Sequence, residues 1–294
     1  MTRHIEPAIA LFTGASDNRL VADVYGEDGP VVLLLHGGGQ TRHAWRSTTQ
    51  SLAHAGWVAY ALDQRGHGDS AWVSDGAYAA SDFAADAKAV ALALKARGGG
   101  RAPVVVGASL GGIAAMLALG AIPRDAAPLF SALVLVDITP RVELSGVARV
   151  QGFMRAHADE GFASIAEAAD AVAQYLPHRP RPRSHDGLKK NLRLYPDGRW
   201  RWHWDPLFLD GPRPIGRDGI EAALVAAARG ITIPTLLVRG ASSELVQEAH
   251  ARDFLDLVPH ATYVDVAGAH HMVAGDRNDR FSAAILDFLA GLKG

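Results

Sequence analysis

One serine of the sequence stands between two glycines in the pattern G-x-S-x-G, at residues 107–111. An apolar β-type run, Val104–Val106, precedes the pattern, and a helical stretch follows it from residue 112. In that setting the pattern predicts a nucleophile elbow, a sharp turn that holds the serine hydroxyl at a helix N-terminus. The pentapeptide alone is equally compatible with a plain glycine-rich turn, but the strand and helix around it favour Ser109 as a nucleophile.

A second glycine-rich segment, His36-Gly37-Gly38-Gly39, directly follows another apolar run. Glycines at such a point let backbone N–H groups approach a reacting carbonyl oxygen, as in the oxyanion loop of the HGGG type. A dinucleotide-binding fingerprint is the competing interpretation, but its pattern G-x-G-x-x-G fails because Arg42 occupies the last position. The segment therefore favours an oxyanion loop.

A serine nucleophile needs a general base, and the base needs an acid to orient it. Two adjacent histidines, His270 and His271, follow the last apolar run by a short loop, and either could be the base. Two carboxylates compete for the role of the acid. Glu244 follows the apolar run at residues 235–238, and Asp137 follows the apolar run at residues 133–136.

Taken together, these motifs resemble the α/β-hydrolase superfamily, and the resemblance covers nearly the whole chain. The stretches that carry it are LLLHGGG at 33–39, DQRGHGDS at 63–70, GASLGG at 107–112 and GAHHM at 268–272. The resemblance implies an α/β-hydrolase fold, no cofactor, and the chain order serine, acid, histidine. It also implies that Gly38 and Leu110 supply the oxyanion-hole N–H groups, whereas His36 and the segment 63–66 are structural.

The same resemblance favours His271 as the base, because the family spacing Gly-x-x-His starts from Gly268. Glu244 stands in the loop where most members of the family carry an Asp or Glu, although its extra methylene requires a slightly more distant backbone. Asp137 occupies a position that other members use for the acid. We predict Glu244 as the acid, with Asp137 as the alternative.

Short apolar runs alternate with helical stretches along the chain, which predicts a mostly parallel central sheet covered by helices. The runs are 8–13, 20–25, 31–35, 57–62, 104–106, 133–136, 235–238 and 262–266. This rhythm stops after Asp137 and resumes at Ile231. We therefore predict a hydrolase core of residues 1–139 and 231–294, and a helical cap, or lid, formed by residues 140–230.

Three tryptophans alternate with other residues inside the predicted cap. In an extended segment, Trp200, Trp202 and Trp204 would share one face. They could line an apolar substrate pocket, or they could be the small core of the cap itself. Both interpretations stay open at this point.

The composition narrows the range of partners. With 29 Lys and Arg against 31 Asp and Glu, the formal charge of −2 lacks the basic footprint of a nucleic-acid binder. The chain has no cysteine, which excludes disulfides and thiolate chemistry, and its thirteen histidines show no metal-binding spacing such as H-E-x-x-H. No signal peptide is expected, because the N-terminal residues contain no long apolar run and are interrupted by Glu6-Pro7. No membrane helix is expected either, because glycines interrupt the uncharged stretch Ala102–Pro123. These features predict a cytoplasmic protein with a small-molecule substrate, and they do not indicate an oligomeric state.

The predicted activity is that of a serine hydrolase that cleaves a carboxylic ester or lactone through an acyl-enzyme. A carbon–carbon bond hydrolase acting on a diketone, or a perhydrolase, would use the same residues. A hypothesis of another class is a ligand receptor that keeps the fold without turnover. Epoxide hydrolysis and dehalogenation are disfavoured, because relatives with those activities carry Asp where this chain has Ser109.

Overall fold

An eight-stranded sheet forms the centre of the part of the chain that the structure describes. The computed structural model describes residues 5–123, 125–179, 181, 184–215, 219–271 and 278–292. The strands in chain order are β1 (Ala8–Thr13), β2 (Arg19–Tyr25), β3 (Val31–Leu35), β4 (Val58–Asp63), β5 (Val104–Ala108), β6 (Ala132–Val136), β7 (Leu192–Leu194), β8 (Trp200–Trp202), β9 (Thr235–Gly240) and β10 (Thr262–Val266). Each predicted run overlaps a strand whose ends differ from the prediction by two residues at most.

The sheet is mostly parallel, as predicted. Its strand order is β1-β2-β4-β3-β5-β6-β9-β10, in which β2 pairs antiparallel with both β1 and β4 and the other pairs are parallel. A separate antiparallel hairpin joins β7 to β8.

Helices cover both faces of the sheet. They are α1 (Arg46–His54), α2 (Ala80–Arg97), α3 (Leu110–Gly120), α4 (Leu144–Ala156), α5 (Ile165–Tyr175), α6 (Asp186–Lys189), α7 (Leu207–Asp210), α8 (Glu221–Arg229), α9 (Glu248–Leu257) and α10 (Asn278–Gly291). The side chains of β3 alternate between the faces, as the two-residue period of a strand requires. Leu33 and Leu35 join the cluster that contains α2 and α3, whereas Val32 and Leu34 join the cluster that contains α1 and α10. Strands buried on both faces explain why the sequence shows continuous apolar runs.

An acidic side chain caps the first turn of α2. The helix begins at Ala80, and the carboxylate of Asp82 accepts the N–H of Ala79 at 2.9 Å. A carboxylate reaches back over the first turn and satisfies a donor that has no partner within the helix.

Residues 140–230, called the insert below, lie between β6 and β9 and contain α4 to α8 and the hairpin. Most of the insert packs around aromatic side chains, with the rings of Phe162 and Trp202 centred 5.2 Å apart. Its last helix, α8, packs instead against α3 of the sheet layer, where a Cβ on Gly120 would stand 2.7 Å from that of Ala227. This contact with α3 distinguishes α8 from the rest of the insert.

Within the described ranges, no helix is long and apolar enough to cross a membrane. The uncharged stretch that a hydropathy window would select is divided between β5 and α3, with a turn between them.

Candidate active site

The site lies at one edge of the sheet, because parallel strands bring their carboxyl ends together there. The oxyanion-type glycines follow β3, Ser109 follows β5, Asp137 follows β6, and His271 stands five residues beyond the end of β10. Residues that are far apart in the sequence therefore converge at this edge.

Ser109 occupies a strained backbone conformation, with φ 46° and ψ −112°. It stands directly before α3, and the flanking glycines leave no room for larger residues. A Cβ on Gly107 would stand 2.5 Å from the carbonyl oxygen of Gly111, and one on Gly111 would stand 2.3 Å from that of Leu35. This is the tight strand–turn–helix geometry that the G-x-S-x-G pattern predicts.

The glycine loop after β3 lies beside the serine, since a Cβ on Gly37 would stand 3.5 Å from the Cβ of Ser109. The loop is held by its own hydrogen bonds. The N–H of Gly37 donates to Oε1 of Gln40 at 3.0 Å, and the N–H of Gly39 donates to Nε2 of His67 at 3.1 Å. Among the described residues, the N–H of Gly38 has no acceptor, so it remains available for a ligand.

The second predicted oxyanion donor is the N–H of Leu110, the first residue of α3. Donors in the first turn of a helix have no intrahelical acceptor. A Cβ on Gly38 would stand 4.0 Å from Cδ2 of Leu110, so the two predicted donors belong to neighbouring residues.

His271 is paired with Asp137. The Nδ1 atom of His271 lies 2.7 Å from Oδ2 of Asp137, whose side chain is completely buried. An ionised carboxylate only accepts hydrogen bonds, so Nδ1 carries the proton and Nε2 carries the lone pair that a base needs. Asp137 itself has a φ of 49°, a left-handed conformation that is uncommon outside glycine and marks functional sites.

Two further donors hold the Asp137 carboxylate. The N–H of Gly240 donates to Oδ1 at 2.9 Å, and the hydroxyl of Ser243 donates to Oδ2 at 2.5 Å. The Ser243 oxygen accepts the N–H groups of Leu245 and Val246, which leaves its hydrogen for Asp137. Sequence reasoning missed Ser243, and its only signal was its place in the loop where the family usually carries the acid.

The preference for Glu244 as the partner of His271 is corrected by this geometry. The carboxylate of Glu244 lies one residue beyond Ser243, and its Oε2 is buried without a hydrogen-bond partner among the described residues. Its backbone carbonyl packs on α4, where a Cβ on Gly146 would stand 2.4 Å away. Because Ser243 faces Asp137, the next side chain in the loop cannot reach the same place.

The two adjacent histidines face different parts of the molecule. The ring of His270 stacks on that of His178 in the insert, with centroids 3.6 Å apart. His271 faces Asp137 instead, so the structure separates the two candidates for the base. Met272, the last residue of the GAHHM motif, lies outside the described residues.

The segment after β4 is a buried ionic network. Asp63 accepts from the N–H and the guanidinium of Arg42, and Arg65 binds Asp86 through two hydrogen bonds of 2.7 Å. Every one of these side chains is buried. Their contacts are those of a structural network that fixes the loop beside the oxyanion-type glycines.

Three histidines are buried next to that loop. The ring centroid of His67 lies 5.2 Å from that of His36 and 5.8 Å from that of His203. Burial lowers the pKa of His36 to about 4 and that of His67 to about 3, and it also holds the pKa of His203 well below its usual value. All three are therefore neutral at neutral pH. His36 bonds to backbone atoms of Gly37 and Gln64, which makes it a loop-fixing residue.

The three tryptophans of the insert do not act as one set. Trp202 packs between Phe153 and Phe162, inside the insert. Trp204 lies over the glycine loop, with its Nε1 3.7 Å from the place where a Cβ on Gly39 would stand. Trp200 is half-buried at the start of β8.

Two apolar residues that the sequence analysis did not single out also lie on the glycine loop. A Cβ on Gly39 would stand 2.9 Å from Cε of Met154, and one on Gly38 would stand 3.4 Å from Cζ of Phe208. Both side chains come from the insert. Within the described residues, no three His, Asp or Glu side chains are grouped so that they could hold a metal ion.

Comparison with known proteins agrees with this fold. A family model described as "Alpha/beta hydrolase family" matches residues 32–284. Esterase Rv0045c of Mycobacterium tuberculosis is 33% identical over 244 residues, which are 81% of this chain and 74% of the relative. A 2-(acetamidomethylene)succinate hydrolase of Mesorhizobium japonicum is 30% identical over 249 residues, 83% of this chain and 82% of the relative.

Solved structures give the same result. A crystal structure of E-2-(acetamidomethylene)succinate hydrolase superposes with a TM-score of 0.83 at 26% identity, covering 97% of this chain and 99% of the other. A structure of the Mycobacterium tuberculosis esterase superposes with a TM-score of 0.71 at 29% identity, covering 98% of this chain and 92% of the other. The chain therefore belongs to the α/β-hydrolase family and is a hydrolase of that family, as the resemblance of its motifs implied.

Proposed function

We propose that this α/β-hydrolase cleaves a carboxylic ester through an acyl-enzyme, with Ser109 as nucleophile, His271 as base and Asp137 as orienting acid. The observation that carries the proposal is the hydrogen bond between His271 and the buried Asp137, at the sheet edge that also carries Ser109. This bond fixes the tautomer that a base for a serine hydroxyl needs.

The reaction proceeds in two halves. Nε2 of His271 takes the hydroxyl proton as Oγ of Ser109 attacks the carbonyl carbon, and the N–H groups of Gly38 and Leu110 bind the resulting oxyanion. The alcohol leaves with the proton from His271, and the acyl group stays on Ser109. A water molecule, deprotonated by His271, then attacks the acyl carbon and releases the carboxylic acid together with free Ser109.

An ester is the substrate class that the relatives named as esterases favour. One curated relative is named as an esterase, and the other, by its name, hydrolyses 2-(acetamidomethylene)succinate. The apolar side chains on the glycine loop support an ester with an apolar group next to the carbonyl. Met154, Trp204 and Phe208 would contact that group.

We also propose that the insert up to about residue 219 acts as the cap of the active site. Its aromatic and thioether side chains lie over the glycine loop, where they would exclude water from the reacting carbonyl. The cap would thereby set the size of the group that the site accepts.

The test is a set of p-nitrophenyl esters of increasing acyl length, together with labelling of the enzyme by a fluorophosphonate probe. The wild type should hydrolyse the esters and be labelled on Ser109, and Ser109→Ala should lose both properties while folding normally. His271→Ala should lose a similar factor in kcat, and the double variant little more, because such residues act as a unit. Hydrolysis by Ser109→Ala at the wild-type rate would exclude the acyl-enzyme mechanism.

A further inference from the structure

One imidazole of the insert is bonded directly to the glycine loop. His203 is 2% exposed, and its Nε2 lies 3.2 Å from the carbonyl oxygen of Gly39. Its Nδ1 accepts the N–H of Gly68 at 2.7 Å, in the turn after β4. The ring therefore stands between two core loops, although its own backbone belongs to the insert.

The hydrogen-bond partners fix the tautomer of this ring. A backbone N–H can only donate, so Nδ1 of His203 is the acceptor and carries no proton. In the neutral ring the proton is then on Nε2, which donates it to the carbonyl of Gly39. The low pKa of His203, caused mainly by burial, agrees with a neutral ring.

Gly39 is bonded through both of its backbone polar groups. Its N–H donates to His67 from the core, and its carbonyl accepts from His203 of the insert. With φ 74°, Gly39 has a backbone conformation that residues other than glycine rarely adopt. The two imidazoles thus fix the position of the residue directly next to Gly38, whose N–H has no acceptor among the described residues.

We propose that His203 is a positioning residue for the oxyanion hole: its bond to Gly39 fixes the glycine loop so that the Gly38 N–H points at the reacting carbonyl oxygen. This inference rests on the proposed role of Gly38 in ester cleavage. It makes the geometry of the oxyanion hole depend on the insert.

Two substitutions separate the two hydrogen bonds of the ring. In His203→Asn, the side-chain oxygen can replace Nδ1 and keep the bond from Gly68, but no donor reaches Gly39. In His203→Gln, the longer amide places its NH₂ near the position of Nε2 and keeps the donor to Gly39. Direct removal of an oxyanion donor lowers kcat by about 10²–10³, and the loss of a group that only positions one should lower kcat less, by about tenfold.

We therefore expect kcat of His203→Asn to fall by about tenfold with KM changed less than about twofold, and kcat of His203→Gln to stay within about threefold of wild type. A trifluoromethyl ketone gives a second readout, because Ser109 adds to it and forms an oxyanion in the hole. Its inhibition constant should rise in His203→Asn by the same factor as kcat falls. The affinity for the corresponding methyl ketone, which remains a neutral ligand, should not change.

Tyr78→Phe is the matched control for the attachment of the insert. The hydroxyl of Tyr78 donates to Oδ2 of Asp205 at 2.6 Å, two residues along the same segment, and accepts the N–H of Val73. Among the described residues, this hydroxyl has no hydrogen bond to the glycine loop. This variant should lower Tm and leave kcat unchanged. A fall of kcat in Tyr78→Phe equal to that in His203→Asn would overturn the proposal. Weaker attachment of the insert to the core would then explain the loss of kcat in both variants.

Equal losses in His203→Asn and His203→Gln, or wild-type kcat and ketone inhibition in His203→Asn, would also overturn it. Should His203→Asn fail to fold, nitrogen NMR of the wild-type imidazoles decides, with the His203 signals assigned by their loss in the Gln variant. A neutral ring protonated on Nε2 supports the proposal, and one protonated on Nδ1 overturns it. Each of these failures leaves the proposed function intact, because that function is tested by Ser109→Ala.

Discussion

The loops that follow β6 and β9 lie side by side but contribute differently to the site. The strands are paired in register, with Val136 opposite Val238, so both loops open at the same edge of the sheet. The loop after β6 supplies the carboxylate of Asp137. Two donors to that carboxylate come from Gly240, the last residue of β9, and from Ser243 in the loop that follows. Two adjacent strand ends thus each contribute groups to one hydrogen-bonded unit, the acceptor from one and the donors from the other.

Two successive residues of the loop after β9, Ser243 and Glu244, have different partners. The oxygen of Ser243 also accepts the backbone N–H groups of Leu245 and Val246, two and three residues further along the chain. These bonds turn the loop around Ser243, so that its side chain faces Asp137. The following side chain then points toward the insert. The charge of Glu244 reaches Tyr175 of α5, where it is the second cause, after burial, of a raised pKa.

The largest expected effect comes from the loop after β6. In Asp137→Asn, the amide can donate to Nδ1 of His271 and so favour the wrong tautomer, with no lone pair on Nε2. We expect kcat on a p-nitrophenyl ester to fall by about 10⁴, as when a triad acid loses its charge. Circular dichroism and Tm serve as the control for folding. A loss of less than about tenfold would remove Asp137 from the proposed mechanism.

The second prediction moves the carboxylate from one loop to the other. Oγ of Ser243 lies 2.5 Å from the atom of Asp137 that binds His271, so an aspartate at position 243 brings a carboxylate close to Nδ1. We expect the double variant Asp137→Asn/Ser243→Asp to recover about 10²-fold in kcat over Asp137→Asn, part of the loss that removal of the acid charge causes.

Ser243→Glu in the same background is the matched comparison, because its extra methylene overshoots that distance and recovery should be smaller. No recovery in the aspartate variant would mean that the two loops are not interchangeable as sources of the acid.

The third prediction concerns the hydroxyl that the loop after β9 donates. A hydrogen bond to a charged group contributes about 1.5–3 kcal/mol, and Asp137 keeps its bond from the Gly240 N–H when Ser243 is replaced. We expect Ser243→Ala to lower kcat by about tenfold, a moderate effect beside that of Asp137→Asn. Ser243→Thr keeps the hydroxyl and should retain most of the activity. Equal losses in both variants would point to a packing effect of the loop rather than to the hydrogen bond.

The sequence predicted the strands and the tight turn at Ser109 because each depends on short-range patterns. Ser109 is defined by its immediate neighbours, and His271 by its distance from one glycine and one strand. The carboxylate that pairs with His271 could not be predicted in the same way. The choice between Glu244 and Asp137 depends on which side chain of the loop after β9, that of Ser243 or that of Glu244, faces Asp137. The role of His203 was equally hidden, because its bond to Gly39 joins residues 164 positions apart.

The smallest expected effect comes from Glu244, the residue that the sequence favoured. Glu244→Gln removes a charge that contacts neither His271 nor Asp137 by any hydrogen bond within the described residues, so kcat should stay within about twofold of wild type. The substitution should act on Tyr175 instead. Because the negative charge raises the pKa of Tyr175, its loss should let this tyrosine ionise at a lower pH than in the wild type, as followed by ultraviolet absorbance.

Asp170→Asn, at an exposed carboxylate paired with Arg181, is the control for a general change in charge on the insert. It should leave the Tyr175 titration in place. If Glu244→Gln instead lowered kcat by thousands of times while the titration of Tyr175 did not move, Glu244 would be the acid. The division of labour between the two loops would then be the reverse of the one that the structure shows.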